Sequence, residues 1–478
     1  MSVRTEQRRP LVVDLDGTLI RSDLLVETTF SFVRKRPSEV PQLVRAFVRG
    51  KAALKRFLAR DSAVDVARLP FEEAVLTLMR SARREGREVI LATASDRNLA
   101  EAVAAHVGGF DDVIATDNGI NMSGERKGRE LMQRFGRGGF DYVGNGRADL
   151  PVLAYAYAGY LVGPTRGVAR AAASVNPRAR VIAASDTTWL DWVRALRVHQ
   201  WAKNLLVFLP MIAAHRVDAA TLFQAGTAFI LFCLLASSVY LINDLFDLPE
   251  DRRHASKRRR PVASGRVSIV WTALVALLLL ATGIGAAASL MPAPFTATLA
   301  VYAIVTLAYS LRIKRQAMAD VLTLALLYTI RVVAGGTAIE VPITAWMLAF
   351  TVFAFLSLAL VKRYAELIAA PGSCEDARLD GRPYLRSDKP LLSSFGAASG
   401  YLSALVLALY INDPATTTLY SRPTIIWLVL PMWLYWLNRA WWLAHRGNMH
   451  DDPVLFAIKD RQSYLIGAAM ALVFVAAL

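Results

Sequence analysis

The chain has 478 residues, a net charge of +16 and a mean hydropathy of +0.36. That hydropathy excludes an ordinary soluble enzyme. Its two cysteines, Cys233 in an apolar stretch and Cys374 in a loop, exclude a disulfide framework or a thiolate metal site. The basic residues cluster beside apolar stretches, which favours a membrane surface and phosphorylated ligands over nucleic acid.

The apolar residues are unevenly spread. Residues 1–190 read as a charged, soluble domain. From about 195 onward, stretches of roughly 20 apolar residues recur, each able to cross a bilayer core of ~30 Å. The opening MSVRTEQRRP has no apolar core, so no cleavable signal peptide is expected and the first domain is expected in the cytoplasm.

In chain order, the candidate strands are Leu11–Asp14, Glu88–Thr93, Asp112–Ala115, Asp141–Gly144 and Tyr160–Val162, alternating with helical patterns. That alternation predicts a parallel sheet flanked by helices. Residues 22–80 interrupt it with helical, Arg-rich sequence and read as an inserted cap, and residues 166–191 read as a linker. Beyond the linker, nine spans are expected: 195–214, 219–241, 269–290, 293–311, 319–339, 344–361, 391–411, 424–444 and 463–478. The loops after the second, fourth, sixth and eighth spans carry nearly all the Lys and Arg. The positive-inside rule therefore predicts these loops and the N-terminus in the cytoplasm and the C-terminus outside.

Asp14-Leu15-Asp16-Gly17-Thr18 follows the first strand, where an open parallel sheet binds its ligands. Two carboxylates two residues apart can hold Mg²⁺ and present one oxygen as a nucleophile. This resembles the first motif of haloacid dehalogenase-type phosphatases. Thr93, Lys127 and the run Gly144-Asn145-Gly146-Arg147-Ala148-Asp149 match the later motifs in order. The resemblance implies Asp14 as the phosphorylated nucleophile and Asp16 as general acid and base. It also implies Thr93 and Lys127 on the phosphate, and Asp14, Asp16, Asn145 and Asp149 around Mg²⁺. Asn145 departs from the family pattern, which has an Asp there; an amide can ligate through its carbonyl without adding charge.

In the second half, Asn243, Asp247 and Asp251 are spaced four apart with Asp244 beside them, a spacing that stacks them on one helical face. Carboxylates at a membrane helix end are tolerable in a cavity or when paired, and their repulsion is relieved by a divalent cation. The following Lys257-Arg258-Arg259-Arg260-Pro261 supplies anion-binding charge. This pairing resembles the first signature of the UbiA prenyltransferase superfamily, which implies an all-helical, nine-helix membrane fold with a Mg²⁺-diphosphate site. The second signature is incomplete: Asp320 follows Tyr309, Arg312 and Lys314, but its partner carboxylate is missing and Arg331 lies in the neighbourhood. With Lys203-Asn204, Lys362-Arg363 and His450-Asp451-Asp452-Pro453, this resembles the decaprenyl-phosphate phosphoribosyltransferase branch.

The expectation is thus an α/β Rossmann-like phosphatase domain (1–165) joined to an all-α polytopic membrane transferase (192–478) in a bacterial plasma membrane. By the resemblance, Asp244, Asp247 and Asp251, with Asn243, would hold Mg²⁺ and the leaving pyrophosphate of phosphoribosyl pyrophosphate. Lys203, Asn204, Lys257, Arg258, Tyr309, Arg312, Lys314, Arg331, Lys362 and Arg363 would bind that donor and a polyprenyl phosphate. The first domain would then remove the 5-phosphate, giving a lipid-linked ribose for cell-envelope pentose synthesis. An aromatic prenyltransferase of a quinone-type pathway remains the alternative, and a homo-oligomer is compatible with either.

Overall fold

The computed structural model describes residues 9–50, 54, 57–58, 64–116, 122–184, 187–254, 256–369, 382–414, 418–449 and 452–478. His450, Asp451 and Cys374 lie outside the described residues. The chain divides into two compact units, Met1–Leu196 with Asp244–Val275, and Arg197–Asn243 with Ala276–Leu478.

The first unit is built on six parallel strands: β1 (Leu11–Val13), β2 (Val89–Asp96), β3 (Asp112–Thr116), β4 (Asp141–Gly144), β5 (Gly159–Val162) and β6 (Arg180–Ala183). Their order is β3-β2-β1-β4-β5-β6, with Val12 beside Ile90 on one side and Tyr142 on the other. Side chains alternate across the sheet. Leu11, Val13, Val89, Leu91 and Val143 pack with Val75, Met79 and Val103 on one face. Val12, Ile90, Ala92 and Tyr142 pack with Leu131 and Leu153 on the other. Burial on both faces explains why these strands read as continuous apolar runs. The chain reverses direction across the sheet at β1, so the carboxyl ends of β1 and β4 flank a topological switch point.

Residues 166–191, expected as a linker, instead contain the helix Arg166–Val175 and β6, which pairs with β5. Its short, half-exposed pattern carries no buried-strand signature. The expected cap contains helices Leu24–Lys35 and Val40–Val48. Asp23 caps the first of these by accepting from the backbone N–H groups of Leu25 and Val26.

The second unit is helical. Among the described residues, six helices are long and apolar enough to cross a membrane: Ala219–Phe246, Ile269–Leu290, Ala293–Arg315, Ala319–Ala338, Ala345–Ala369 and Arg386–Ile411. The other three expected spans take different forms. Residues 195–214 break into 3₁₀ turns over Val198–Phe208 and a short helix Leu209–Ala213, whose second residue is Pro210. Residues 424–444 divide into a 3₁₀ segment Pro423–Leu428 and a 17-residue helix Val429–His445. The last is the 17-residue helix Arg461–Ala477. Leu277, Leu278, Ile304 and Leu465 are exposed on such helices, as side chains meeting lipid tails would be.

The segment 243–251 is not one helix. The helix ends at Phe246, and a second, Leu248–Arg253, starts with Pro249 in its first turn. Proline lacks the N–H needed to continue the ladder and its ring clashes with the carbonyl four residues back. Asp247 therefore sits at the break, and the uniform four-residue stack expected from spacing does not form.

Candidate functional site

The first cluster lies where β1, β2 and β4 end. Gly17 lets the chain turn out of β1 with φ +72°, and an added Cβ would meet the Asn145 side-chain nitrogen at 2.0 Å. Asp14 is buried, and its carboxylate accepts from Lys127 Nζ at 2.6 Å and Thr18 Oγ1 at 3.3 Å. Lys127 also donates to the Tyr142 hydroxyl at 2.9 Å, and that hydroxyl donates to Asp149 Oδ1 at 2.7 Å. Asp16 accepts from the Leu24 N–H at 2.8 Å and from Ser95 Oγ at 2.6 Å, with Thr93 Oγ1 at 3.5 Å. Of the six sequence-derived residues, Asp14, Asp16, Thr93, Asn145 and Asp149 thus lie on or just after the neighbouring strands β1, β2 and β4, and Lys127 reaches in from the helix Gly124–Phe135.

Burial pushes the Asp14 carboxyl up to about 7; Lys127 opposes that shift, while Asp149 and Asp16 add to it. Burial lowers the Lys127 ammonium, but Asp14 and Asp149 outweigh it and hold the group above its ordinary value. Crowded carboxylates of this kind call for one more positive charge. The donors are of the right kind for Mg²⁺, being hard oxygens from Asp14, Asp16 and the Asn145 amide. Asp149 fits less well: its Oδ2 accepts from the N–H groups of Asn145 and Gly146, both at 3.0 Å. It shapes the loop that presents Asn145. Ser95 and Tyr142 had no sequence signal, because their roles depend on strand register.

The second cluster lies in the segment 244–275. Asp244 and Asp251 are each 3% exposed and share one guanidinium: Arg260 Nη1 lies 2.5 Å from Asp251 Oδ2 and 3.4 Å from Asp244 Oδ1. Arg260 therefore stands where a bridging cation would stand, and the donor set suits one. Burial raises the Asp251 carboxyl, with Arg260 opposing. The adjoining Asn243 Oδ1 is buried with no hydrogen-bond partner among the described residues. Lys257 and Arg258, expected to serve the diphosphate, are exposed on a 3₁₀ turn, and Arg260 bonds to both carboxylates. Among the described residues, no three His, Cys, Asp or Glu side chains form a ready-made cage in either cluster.

The third cluster belongs to the second unit. Lys203 Nζ and Lys362 Nζ both donate to Asp452 Oδ2, at 2.9 and 3.0 Å, and Tyr328 donates to Oδ1 at 2.8 Å. Arg331 is held by neutral groups: it donates to Asn204 Oδ1 and Tyr302 Oη, both at 2.9 Å, and to the Leu327 carbonyl. The Phe232, Tyr302 and Tyr328 rings surround it at 4.9–5.5 Å. Asn204 in turn donates to Cys233 Sγ at 3.2 Å. The structure thus brings Lys203, Asn204, Arg331 and Lys362 together and adds Asp452, Tyr302 and Tyr328.

Arg363 takes a different place. It is fully buried and grips Asp320 with two bonds of 2.6 and 3.0 Å, while also donating to Tyr309 and Glu366. Tyr309 donates to Asp320 at 2.7 Å, and Arg382 joins the same carboxylate at 3.3 Å. Arg312 is exposed, and the Lys314 carbonyl accepts from Arg382. Asp320, without a second carboxylate beside it in sequence, is thus met by two arginines.

Family models match both parts of the chain. The UbiA prenyltransferase family model matches residues 204–472, and the haloacid dehalogenase-like hydrolase model matches residues 11–154. The uncharacterized protein y4nM of Sinorhizobium fredii is 38% identical over 478 residues, covering 99% of this chain and 92% of that one. The nodulation protein NoeC of Azorhizobium caulinodans is 34% identical over 298 residues, 61% of this chain and 95% of that one. The decaprenyl-phosphate phosphoribosyltransferase of Mycolicibacterium smegmatis is 40% identical over 182 residues, 37% of this chain; the match spans 56% of that enzyme's length.

Proposed function

Because the chain belongs to the UbiA prenyltransferase family and carries a haloacid dehalogenase-like hydrolase domain at its N-terminal end, we propose that it builds a polyprenyl phosphoryl ribose in two steps. In the first, 5-phosphoribose passes from phosphoribosyl pyrophosphate to a polyprenyl phosphate. In the second, the N-terminal domain removes the 5-phosphate. The observation that carries the reading is the cluster in which Lys203 and Lys362 share Asp452 while neutral groups and aromatic rings hold Arg331. Two lysines sharing one carboxylate, beside a buried guanidinium with no carboxylate bonded to it, suit a donor and an acceptor that both bring phosphate.

For transfer, a lipid phosphate oxygen bonds to C1 of the ribose as the bond from C1 to pyrophosphate breaks, and pyrophosphate leaves with that electron pair. The lipid oxygen is already anionic, so positioning matters more than a base. Lys203, Lys362 and Arg331 bind and orient the phosphates. Tyr309, Asp320, Arg363 and Arg382 brace the neighbouring helices, and Lys257, Arg258, Arg312 and Lys314 attract anions from the surface. For phosphate removal, an Asp14 oxygen bonds to phosphorus and the bond to ribose O5 breaks as Asp16 gives that oxygen its proton. Water then attacks the same phosphorus, Asp16 takes the water's proton, and phosphate departs. Lys127 and Thr93 hold the phosphoryl oxygens. When bound, Mg²⁺ supplies charge neutralisation for phosphate and diphosphate oxygens. Asp14, Asp16 and Asn145 would hold it at the phosphatase centre; Asp244, Asp247 and Asp251 would do so at the aspartate cluster.

The protein is a multi-pass membrane protein. We place its N-terminus and basic loops in the cytoplasm, with nine crossings in all, the three shorter apolar segments completing the set. The first domain is read as running to Ala183, since β6 belongs to its sheet. Detergent-purified protein, supplied with Mg²⁺, phosphoribosyl pyrophosphate and a polyprenyl phosphate, should yield a lipid heavier by one ribose. No new lipid, with turnover once a prenyl diphosphate and an aromatic acceptor are supplied, would make it an aromatic prenyltransferase instead.

A further inference from the structure

We infer that Arg252 and residues 256–270 form a second cap over the phosphatase centre and build, with it, a leaving-group pocket for a single hydroxylated sugar. This rests on the phosphatase reading of Asp14 and Asp16. These residues follow the aspartate cluster in sequence, yet they belong to the first compact unit. A cavity of about 280 Å³ there is lined by Asp16, Ser22 and Asn145 on one side and by Arg252, Gly265 and Ser268 on the other.

Asp16 is the residue that would protonate the oxygen leaving phosphorus, so a cavity against Asp16 is where the alcohol portion of a phosphomonoester must lie. Its size lies just below the roughly 300–1,000 Å³ of small-molecule sites, which suits one sugar ring, with the polyprenyl phosphate on C1 of a lipid-linked ribose lying outside it. Its polarity agrees. The Ser22 hydroxyl is buried with no hydrogen-bond partner among the described residues. Leaving a buried hydroxyl unpaired costs about 1–3 kcal/mol, which a sugar hydroxyl would remove.

The far wall is fastened in place. Arg252 donates to both oxygens of Glu27 on the helix Leu24–Lys35, at 3.0 and 2.6 Å, and to the Ala263 carbonyl at 3.1 Å. Leu248, Val262 and Ala263 pack against Val26 and Phe30 of the same helix. Gly265, with φ +73°, lies so close that an added Cβ would meet Arg21 Cβ at 2.7 Å. The helical insertion and the distant loop therefore close on the centre from two sides.

The test is a specificity ratio in the full-length protein with Mg²⁺. Ribose 5-phosphate fills the pocket, and acetyl phosphate offers a small leaving group. Ser268→Trp, which fills the cavity, and Ser22→Ala, which removes the hydroxyl, should each lower the ratio of kcat/KM for ribose 5-phosphate over acetyl phosphate by about tenfold or more. Phosphoribosyl transfer by the same preparations reports that the chain is folded. A ratio that stays within about twofold in both variants overturns the inference. If the unmodified protein hydrolyses neither compound, the phosphatase reading has failed. The pocket is then judged by ligand-observed NMR with ribose 5-phosphate: binding lost in Ser268→Trp upholds it, and absent or unchanged binding overturns it.

Discussion

Glu27 and Arg252 stand 225 residues apart in the chain and meet as a two-pronged ion pair, each side chain under a tenth exposed. Neither has a neighbour in sequence that announces the contact. It ties the insertion between β1 and β2 to the segment that carries the aspartate cluster.

Removing one partner leaves the other charge buried and alone. Glu27→Ala should therefore destabilise the first unit by about 3–5 kcal/mol, and Glu27→Ala with Arg252→Ala together should cost less than the sum of the single changes. Thermal unfolding of the four proteins in detergent reads the coupling. Additive effects would mean that the pair holds nothing in solution.

Asp14→Asn keeps the side chain's shape and removes the nucleophile. It should lower 5-phosphate removal by about a hundredfold or more while transfer continues, so the phosphoribosyl lipid accumulates. Mass spectrometry of the lipid separates the two products by one phosphate. Loss of both activities would place Asp14 in the folding of the chain rather than in hydrolysis.

Lys362 and Lys203 both meet Asp452. Lys362→Met should lower kcat/KM for phosphoribosyl pyrophosphate by about a hundredfold, the order found when one preorganised donor is lost. Phosphate removal from a supplied phosphoribosyl lipid should persist. Steady-state kinetics of each half-reaction would show the split, and equal losses in both would contradict it.

Arg331→Lys retains a charge but not the planar fork that reaches Asn204 and Tyr302. Transfer should fall about tenfold or more, since two hydrogen bonds to buried groups are broken. A lysine variant with full activity would show that only the charge at 331 matters.

Arg260 balances Asp244 and Asp251. Arg260→Gln leaves two buried carboxylates facing each other, which lowers stability without Mg²⁺ and raises the affinity for it. Ligand that binds the native state alone stabilises it in proportion to that affinity. Melting curves with and without Mg²⁺ should therefore show a larger rise in Tm for the variant than for the unmodified chain. Equal rises would remove these carboxylates from metal binding.

Much of this was legible in the sequence, for reasons that are local. Apolar runs marked five of the six strands to within three residues, because parallel strands buried on both faces leave an unbroken apolar signature. The motif order Asp14, Thr93, Lys127, Asn145 could be read because each residue sits at a strand end or a helix start, where side-chain placement follows from the element itself. Apolar length alone identified the six long helices. β6, with its exposed face, and the 195–214 region, broken near Pro210, lacked such a signature.

What the tertiary structure decided is pairing across long sequence distances. Sequence placed Arg363 among ligand-binding residues; packing commits it to Asp320, 43 positions away. Sequence offered Lys257 and Arg258 to the aspartate cluster; the turn at Pro249 and the 3₁₀ segment after it bring Arg260 onto Asp244 and Asp251 as well. Asp452 balances two lysines 90 and 249 positions away. A charge can be read from composition, but its partner depends on which helices meet. The sequence by itself determined what chemistry the chain carries, because motif residues act through their own elements. Only the fold decided which charges are held and which remain for a ligand, because desolvation and distance exist once elements pack.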